Sequence, residues 1–359
     1  MPFTADIVTE IVQHVFETLF IFDPSLRFAP LLAASMPEIT SDGRQYTIRL
    51  RTGIRSHDGT QMTGEDVVAS LKRWMWLSPR GKTPAEYVTA VTAPDPSTVR
   101  LELKSSYAPL VSLLGYPNGA PAIMPARLAT APDPLQGFIG TGPYKLLEHK
   151  PDAYIRLLRN PDYVSPPGPA FGYAGKREAL IEELRFVPVP NPVTSNDGLL
   201  SGQYHFADLI PPDSYARLDA GKGVMGGKVK PAIWPIFIFN TKAGAMSRVG
   251  ARRAVQAAIS PSDMLAAAFG APEFWKLEGS IYPEGTDWYD AATPGYNAAD
   301  PKKAADLLRA SGYDGAPVRL MVTQQYEYMY KMGQVAQANI EEVGFKVDLQ
   351  MMDWATLLQ

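Results

Sequence analysis

Apolar residues at Ile7, Val8, Ile11, Val12, Val15, Phe16 and Leu19 recur at intervals of three and four. That spacing lines one face of a helix and predicts one over residues 6–20. Alternation takes over in "YTIRLR" (46–51) and "STVRLEL" (97–103), where residues two apart share a face, and predicts strands. Between them "TGEDVVASLKRW" opens a helix: Thr63 is placed to cap it, and Glu65 and Asp66 stand in its first turn, where free amides favour negative charge. A short helix is expected at 109–115, and residues 140–163 read as two strands joined by the turn "KPDA".

The last third is more regular. Ser260-Pro261 and Asp300-Pro301 each place a capping residue before a proline at the first helical position, and Gly270 and Gly312 close the two helices. Then come a strand at 318–323, a helix at 327–343 stopped by Gly344, and a strand at 345–351. Two strands joined by a crossover helix predict a parallel pair with a right-handed connection, so this part is α/β.

Composition narrows the function classes. The 359 residues allow two or three domains. With 46% hydrophobic and 20% charged residues the chain reads as soluble and globular, and 29 Gly with 33 Pro predict many loops. Lys and Arg total 34 against 37 Asp and Glu, for a net charge of −3, and no basic run marks a nucleic-acid track. Apolar runs such as "IWPIFIF" (233–239) fall far short of the roughly 20 residues that span a bilayer. The absence of cysteine excludes disulfides and thiolate metal sites. The opening "MPFTADIVTEIVQHVFETLF" is acidic and amphipathic, without the basic and apolar regions of a signal peptide.

Catalytic chemistry finds little support. Histidines stand only at 14, 57, 149 and 205, without zinc-ligand spacing, and no G-x-S-x-G occurs. Gly140 and Gly142 would need a third glycine where Lys145 stands to make a dinucleotide loop, and "GVMGGKVK" has Val229 where a phosphate loop needs Ser or Thr. His57, Asp58, Glu65 and Asp66 lie within ten residues. Adjacent side chains on an extended segment point to opposite sides, and a strand–loop–helix junction accounts for all four. No catalytic residue, metal site or cofactor is expected.

Four segments taken together resemble one family, the solute-binding proteins of ABC importers for dipeptides, oligopeptides and nickel (extracellular solute-binding protein family 5). "YTIRLRTGIRSHDGTQMTGEDVVASLKRW" is similar to its strand, "HDG" loop and "T-x-E-D-V" helix. "GTGPYKLLEHKPDAYIRLLRNPDY" resembles its "GTGPY" hairpin, "FNTKAGAMSRVGARRAVQAAISPSDML" its "FNT" strand and following helix, and "YNAADPKKAADLLRASGYDG" its "D-P-x-K-A" helix. The resemblance implies an α/β, two-lobed periplasmic binding protein of type II with an extra subdomain on the first lobe. Residues 1–17 and 139–236 would form lobe I, 18–138 the inserted subdomain, and 237–359 an incomplete lobe II, since relatives start earlier and continue past Gln359.

The implied function is a periplasmic, monomeric, non-enzymatic receptor that captures a peptide or peptide-like solute between its lobes and delivers it to a membrane permease. A sugar derivative, an opine or a nickel chelate are alternative solutes, and a peptide-holding chaperone an alternative role. By the same resemblance Thr4 and Asp6 would lie at the cleft, and Asp208 would hold a ligand ammonium or serve as a loop or cap residue. Trp234, Phe237 and Asn240 would sit on a strand crossing between lobes, as ligand contacts or as core. Gln324, Gln325, Tyr326 and Tyr328 follow a strand at its carboxyl end, where α/β sheets bind ligands, and read as a ligand wall or an exposed helix start. Some dipeptide binders carry an arginine there; none lies between Arg319 and Gln359, which favours a neutral or cationic, hydrogen-bonding ligand.

Overall fold

A computed structural model describes residues 6–135, 137–221, 223–229, 233–282, 284, 289–290 and 299–358. Internal contacts divide the chain into two compact units, 1–188 and 189–359; residues 189–236, assigned to lobe I by resemblance, fall in the second.

The first unit opens with α1 (Asp6–Val15), five residues shorter than its apolar spacing predicts. Tertiary donors end it: Val15 O accepts from Gly142 N (3.0 Å), Glu17 O from Ile123 N (3.0 Å) and Thr18 O from Leu32 N (3.2 Å). Phe20 therefore enters β1 (Phe20–Phe22), paired antiparallel with β2 (Phe28–Pro30). Next come β3 (Glu38–Ile39), β4 (Gln45–Arg49), α2 (Gly64–Leu77), α3 (Pro79–Ala85), β5 (Val88–Asp95), β6 (Thr98–Leu103), α4 (Leu110–Gly115) and α5 (Ala126–Ala129). The four strands make an antiparallel sheet ordered β3-β4-β6-β5. Its inward residues Tyr46, Ile48, Val99 and Leu101 meet Val67, Leu71 and Trp74 of α2 in a core that spans Leu19 to Ile123.

A second core joins α1 to the sheet β7 (Tyr144–Lys150), β8 (Tyr154–Arg159) and β9 (Glu183–Phe186) through Val15, Phe16, Met124, Leu128, Tyr144 and Leu157. The two early glycines of "GTGPY" serve this packing. A Cβ on Gly140 would stand 2.1 Å from Val15 O, and one on Gly142 2.4 Å from His14 O. Between them Thr141 donates to the Glu17 carboxylate (2.9 Å), which also accepts from Tyr163 (2.8 Å) and faces Arg177 at 3.6 Å.

The junction holding His57 and Asp58 is structural as well. His57 Nε2 donates to Gly142 O (3.0 Å) and Nδ1 accepts from Gly140 N (3.3 Å). Burial lowers its pKa, which suits the neutral ring this pairing requires. Asp66 accepts from Thr63 N (2.8 Å) and from Ala126 N (2.7 Å), and Glu65 is exposed.

The second unit runs through α6 (Pro192–Leu200), α7 (Pro212–Asp219), α8 (Val249–Ala258), α9 (Pro261–Phe269), α10 (Pro301–Ala310), β10 (Val318–Val322), α11 (Glu327–Glu342), β11 (Val347–Met351) and α12 (Trp354–Leu357). The expected caps are in place: Ser260 Oγ accepts from Asp263 N (3.4 Å), and an Asp300 carboxylate oxygen from Lys303 N (2.9 Å). Gly270 and Gly312 take positive φ, 68° and 69°, which glycine adopts without steric cost. β10 and β11 pair in parallel, joined by α11. One expected element is missing: residues 233–240 form no strand. Exposure alternates along them, with Ile236 at 72% and Ile238 at 88%, while Phe237 and Phe239 pack on the core. Alternation alone does not supply a hydrogen-bonded neighbour, and among the described residues none pairs with this segment in a ladder.

Candidate ligand-binding site

The parallel pair of the second unit positions the candidate wall. At the carboxyl end of β10, Thr323 is fully buried and its Oγ1 accepts from Gln325 N (3.2 Å), turning the chain out of the sheet toward α11. After β11, Met352 N donates back to Val322 O (3.0 Å), which brings Asp353 and Trp354 alongside. Asp353 caps α12 by accepting from Thr356 N (2.9 Å), and Trp354 N donates to Gln325 Oε1 (2.7 Å).

Rings complete the array. Tyr326 meets Trp354 edge-on at 5.2 Å and Tyr328 at 6.1 Å, and Tyr328 stacks on Phe269 of α9 at 5.7 Å. These are separations at which aromatic pairs attract. Phe237 and Tyr328 pack against the same core of Met264, Ala268, Met332 and Ala336. Gln324, Gln325, Tyr326, Tyr328 and Phe237 are thus gathered around one strand end, with Gln324 exposed and the Gln325 carbonyl engaged. Trp354 and Phe269 belong to the same array and were not expected; the "DW" following a strand was the one visible mark of Trp354.

Asn240 is exposed, and its Oδ1 accepts from Lys242 N (3.0 Å) and Ala243 N (3.3 Å), shaping a turn. Trp234 is 39% exposed. Asp208 is exposed beside Leu209, whose φ of 52° marks a tight turn. Asp6 begins α1 with its side chain outside the described residues, and Thr4 lies outside them altogether. Among the described residues no group of three or more His, Cys, Asp or Glu could hold a metal ion, and no helix is long and apolar enough to cross a membrane.

The array stands at the carboxyl end of parallel strands, the place where α/β sheets bind ligands. Comparison with known proteins defines the class. The family described as bacterial extracellular solute-binding proteins, family 5 (middle), matches residues 27–359, and the chain belongs to it. It is 26% identical to a probable peptide ABC transporter periplasmic-binding protein, y4tO, of Sinorhizobium fredii, over 99% of this chain and 68% of that protein. It is also 26% identical to the glutathione-binding protein GsiB of Escherichia coli K12, over 96% of this chain and 65% of that protein.

Two solved structures share the fold, each with a TM-score of 0.80. The periplasmic binding protein AgaA from A. tumefaciens, in complex with agropinic acid, is 26% identical, over 98% of this chain and 69% of that one. The oligopeptide-binding protein AppA from Bacillus subtilis, in complex with a nonapeptide, is 20% identical, over 99% of this chain and 72% of that one. The fold class is therefore that of the two-lobed periplasmic binding proteins of family 5, and the chain spans roughly two thirds of these relatives' length.

Proposed function

We propose that the protein is an extracytoplasmic receptor that captures a peptide or peptide-like solute between two lobes and delivers it to the permease of an ABC importer. The observation that carries this reading is the array of Gln324, Gln325, Tyr326, Tyr328 and Trp354 at the end of β10 in a family-5 chain. Amides and rings of this kind suit a ligand with a peptide-like backbone. The names of y4tO and GsiB, one peptide-binding and one glutathione-binding, support the same class. Transport of this kind requires no covalent step; ligand contact with both lobes shifts the population toward a closed state. The assignment of 18–138 as a subdomain inserted in lobe I is supported by a core that lies wholly within it, from Leu19 to Ile123, while the second core joins it to α1 and the β7–β9 sheet through Ala69, Met124, Leu128 and Ala129. Contributions from Thr4 and Asp6 by backbone pairing, and from Asp208 to a ligand ammonium, belong to the same proposal.

The test is titration calorimetry with a panel of di- to pentapeptides, glutathione and agropinic acid. The proposal expects micromolar or tighter binding of a peptide, weakened at least ten-fold by Tyr328→Ala or Gln324→Ala. Tight binding of agropinic acid with no peptide bound would make the solute an opine. Binding indifferent to both substitutions would remove the site from the β10 end.

A further inference from the structure

Gln325 is an exposed residue held at two points. Its backbone N donates to Oγ1 of the fully buried Thr323 (3.2 Å), and its Oε1 accepts from Trp354 N (2.7 Å). Ordering a long exposed side chain costs rotamer freedom, and here the ordering is in place before any solute arrives, which is the condition for preorganised binding. The Trp354 partner also settles which way the amide faces. A backbone N–H only donates, so the atom toward it is the oxygen, and Nε2, on the other arm of the same planar group, is turned away with both its hydrogens. Among the described residues no group accepts from Nε2.

The charges around this amide are already matched. Glu327 faces Lys331 at 2.9 Å, and the two Asp353 carboxylate oxygens accept from Thr356 N (2.9 Å) and Thr356 Oγ1 (2.6 Å). Arg319 and Lys346 stand at the amino ends of β10 and β11, away from the array. An ammonium, which only donates, finds no partner in two N–H donors, and a carboxylate taken from water calls for a cation. An uncharged oxygen acceptor meets neither objection. Tyr326 follows Gln325 in the chain and meets Trp354 edge-on at 5.2 Å, so the donors stand beside half-buried rings, where a hydrogen bond is stronger than in open water.

We propose that Gln325 is a specificity-determining donor, and that its Nε2 takes an uncharged acceptor of the solute, a peptide carbonyl or a primary amide oxygen. The inference rests on the receptor reading above for the solute it serves. Gln325→Glu tests it, since the substitution keeps the side-chain length and an oxygen for Trp354 N but removes both donors. Calorimetry with the peptide panel and agropinic acid at pH 7 should show peptide binding at least ten-fold weaker, as expected when an acceptor is left facing an acceptor. The loss should reverse in acid. At pH 4, below the ordinary glutamate value of about 4.3, the introduced carboxyl is mostly protonated and donates again, and the gap to wild type should close to about two-fold. Taking the ratio to wild type at each pH cancels titration of the solute itself. The Trp354 backbone amide resonance, unmoved in Gln325→Glu and shifted in Gln325→Leu, verifies that the anchor survives the first substitution.

The loss should be equal for C-terminally amidated and free-acid peptides; a loss confined to free acids makes the acceptor a carboxylate and overturns the assignment. Peptide binding indifferent to Gln325→Glu, or a gap that persists at pH 4, overturns the donor role and leaves the receptor reading standing. Agropinic acid bound in place of peptides, with the same loss and recovery, supports the donor and overturns the peptide reading alone. A panel without a binder overturns both.

Discussion

Removing the Glu17 carboxylate tests the packing that joins α1 to the loops around it. Glu17 is 1% exposed, accepts from Thr141 and Tyr163, and faces Arg177. Glu17→Ala leaves two hydroxyls and a guanidinium without their acceptor. Breaking a buried pair in this way costs about 3–5 kcal/mol, or roughly 6–20 °C in melting temperature for a unit of this size. Glu17→Gln keeps one acceptor oxygen and should cost about 1–2 kcal/mol at neutral pH. The two are separated by pH. Burial raises the Glu17 pKa despite the lowering influence of Arg177, Tyr163 and Thr141. A raised folded-state value means that the favourable contribution is complete below the unfolded value near 4.5 and is lost as pH rises through the folded one. Urea unfolding from pH 4 to 8 should therefore show wild type losing stability relative to Glu17→Gln as pH rises. A Glu17→Ala variant within 1 kcal/mol of wild type, or a difference from Glu17→Gln that grows with pH, would refute the reasoning.

Gly142→Ala places a methyl group 2.4 Å from His14 O, a backbone atom that cannot swing aside; thermal melts should show a loss on the order of 1–3 kcal/mol. Asp58 feels burial, which raises its pKa, but the bonds from Thr60 and Arg127 outweigh it and hold the carboxyl at about 2 against an ordinary 3.8. Its stabilising contribution is thus present above pH 4 and lost as pH falls through about 2, so chemical denaturation should show the deficit of Asp58→Asn shrinking on acidification. Asp300→Ala removes the cap of α10 and should cost about 1 kcal/mol of the second unit's stability, measured by denaturant unfolding.

Elements closed by local chemistry were legible in the sequence. The Ser260 and Asp300 caps, the following prolines and the positive φ of Gly270 and Gly312 are each decided within a few residues. The end of α1 was not, because the donors that stop it come from Gly142, Ile123 and Leu32, far along the chain. The strand β5 was overlooked for the related reason that its exposure does not alternate cleanly and its pairing with β6 is bulged. The segment 233–240 has the pattern of a strand but lacks a ladder partner among the described residues. At the candidate site, the polar and aromatic run at 324–328 stood out in the sequence. The role of Trp354 did not, since it depends on β11 returning parallel to β10. Glu17 carried no sequence mark, because its burial belongs to the folded chain alone.

Native mass spectrometry of the purified protein, set beside the denatured sample, addresses the central claim most directly. A solute receptor should retain a discrete mass in the range of a short peptide that disappears on denaturation, and added peptides should compete with it. A protein that carries no such mass and takes up none of the peptide panel at millimolar concentration would contradict the account.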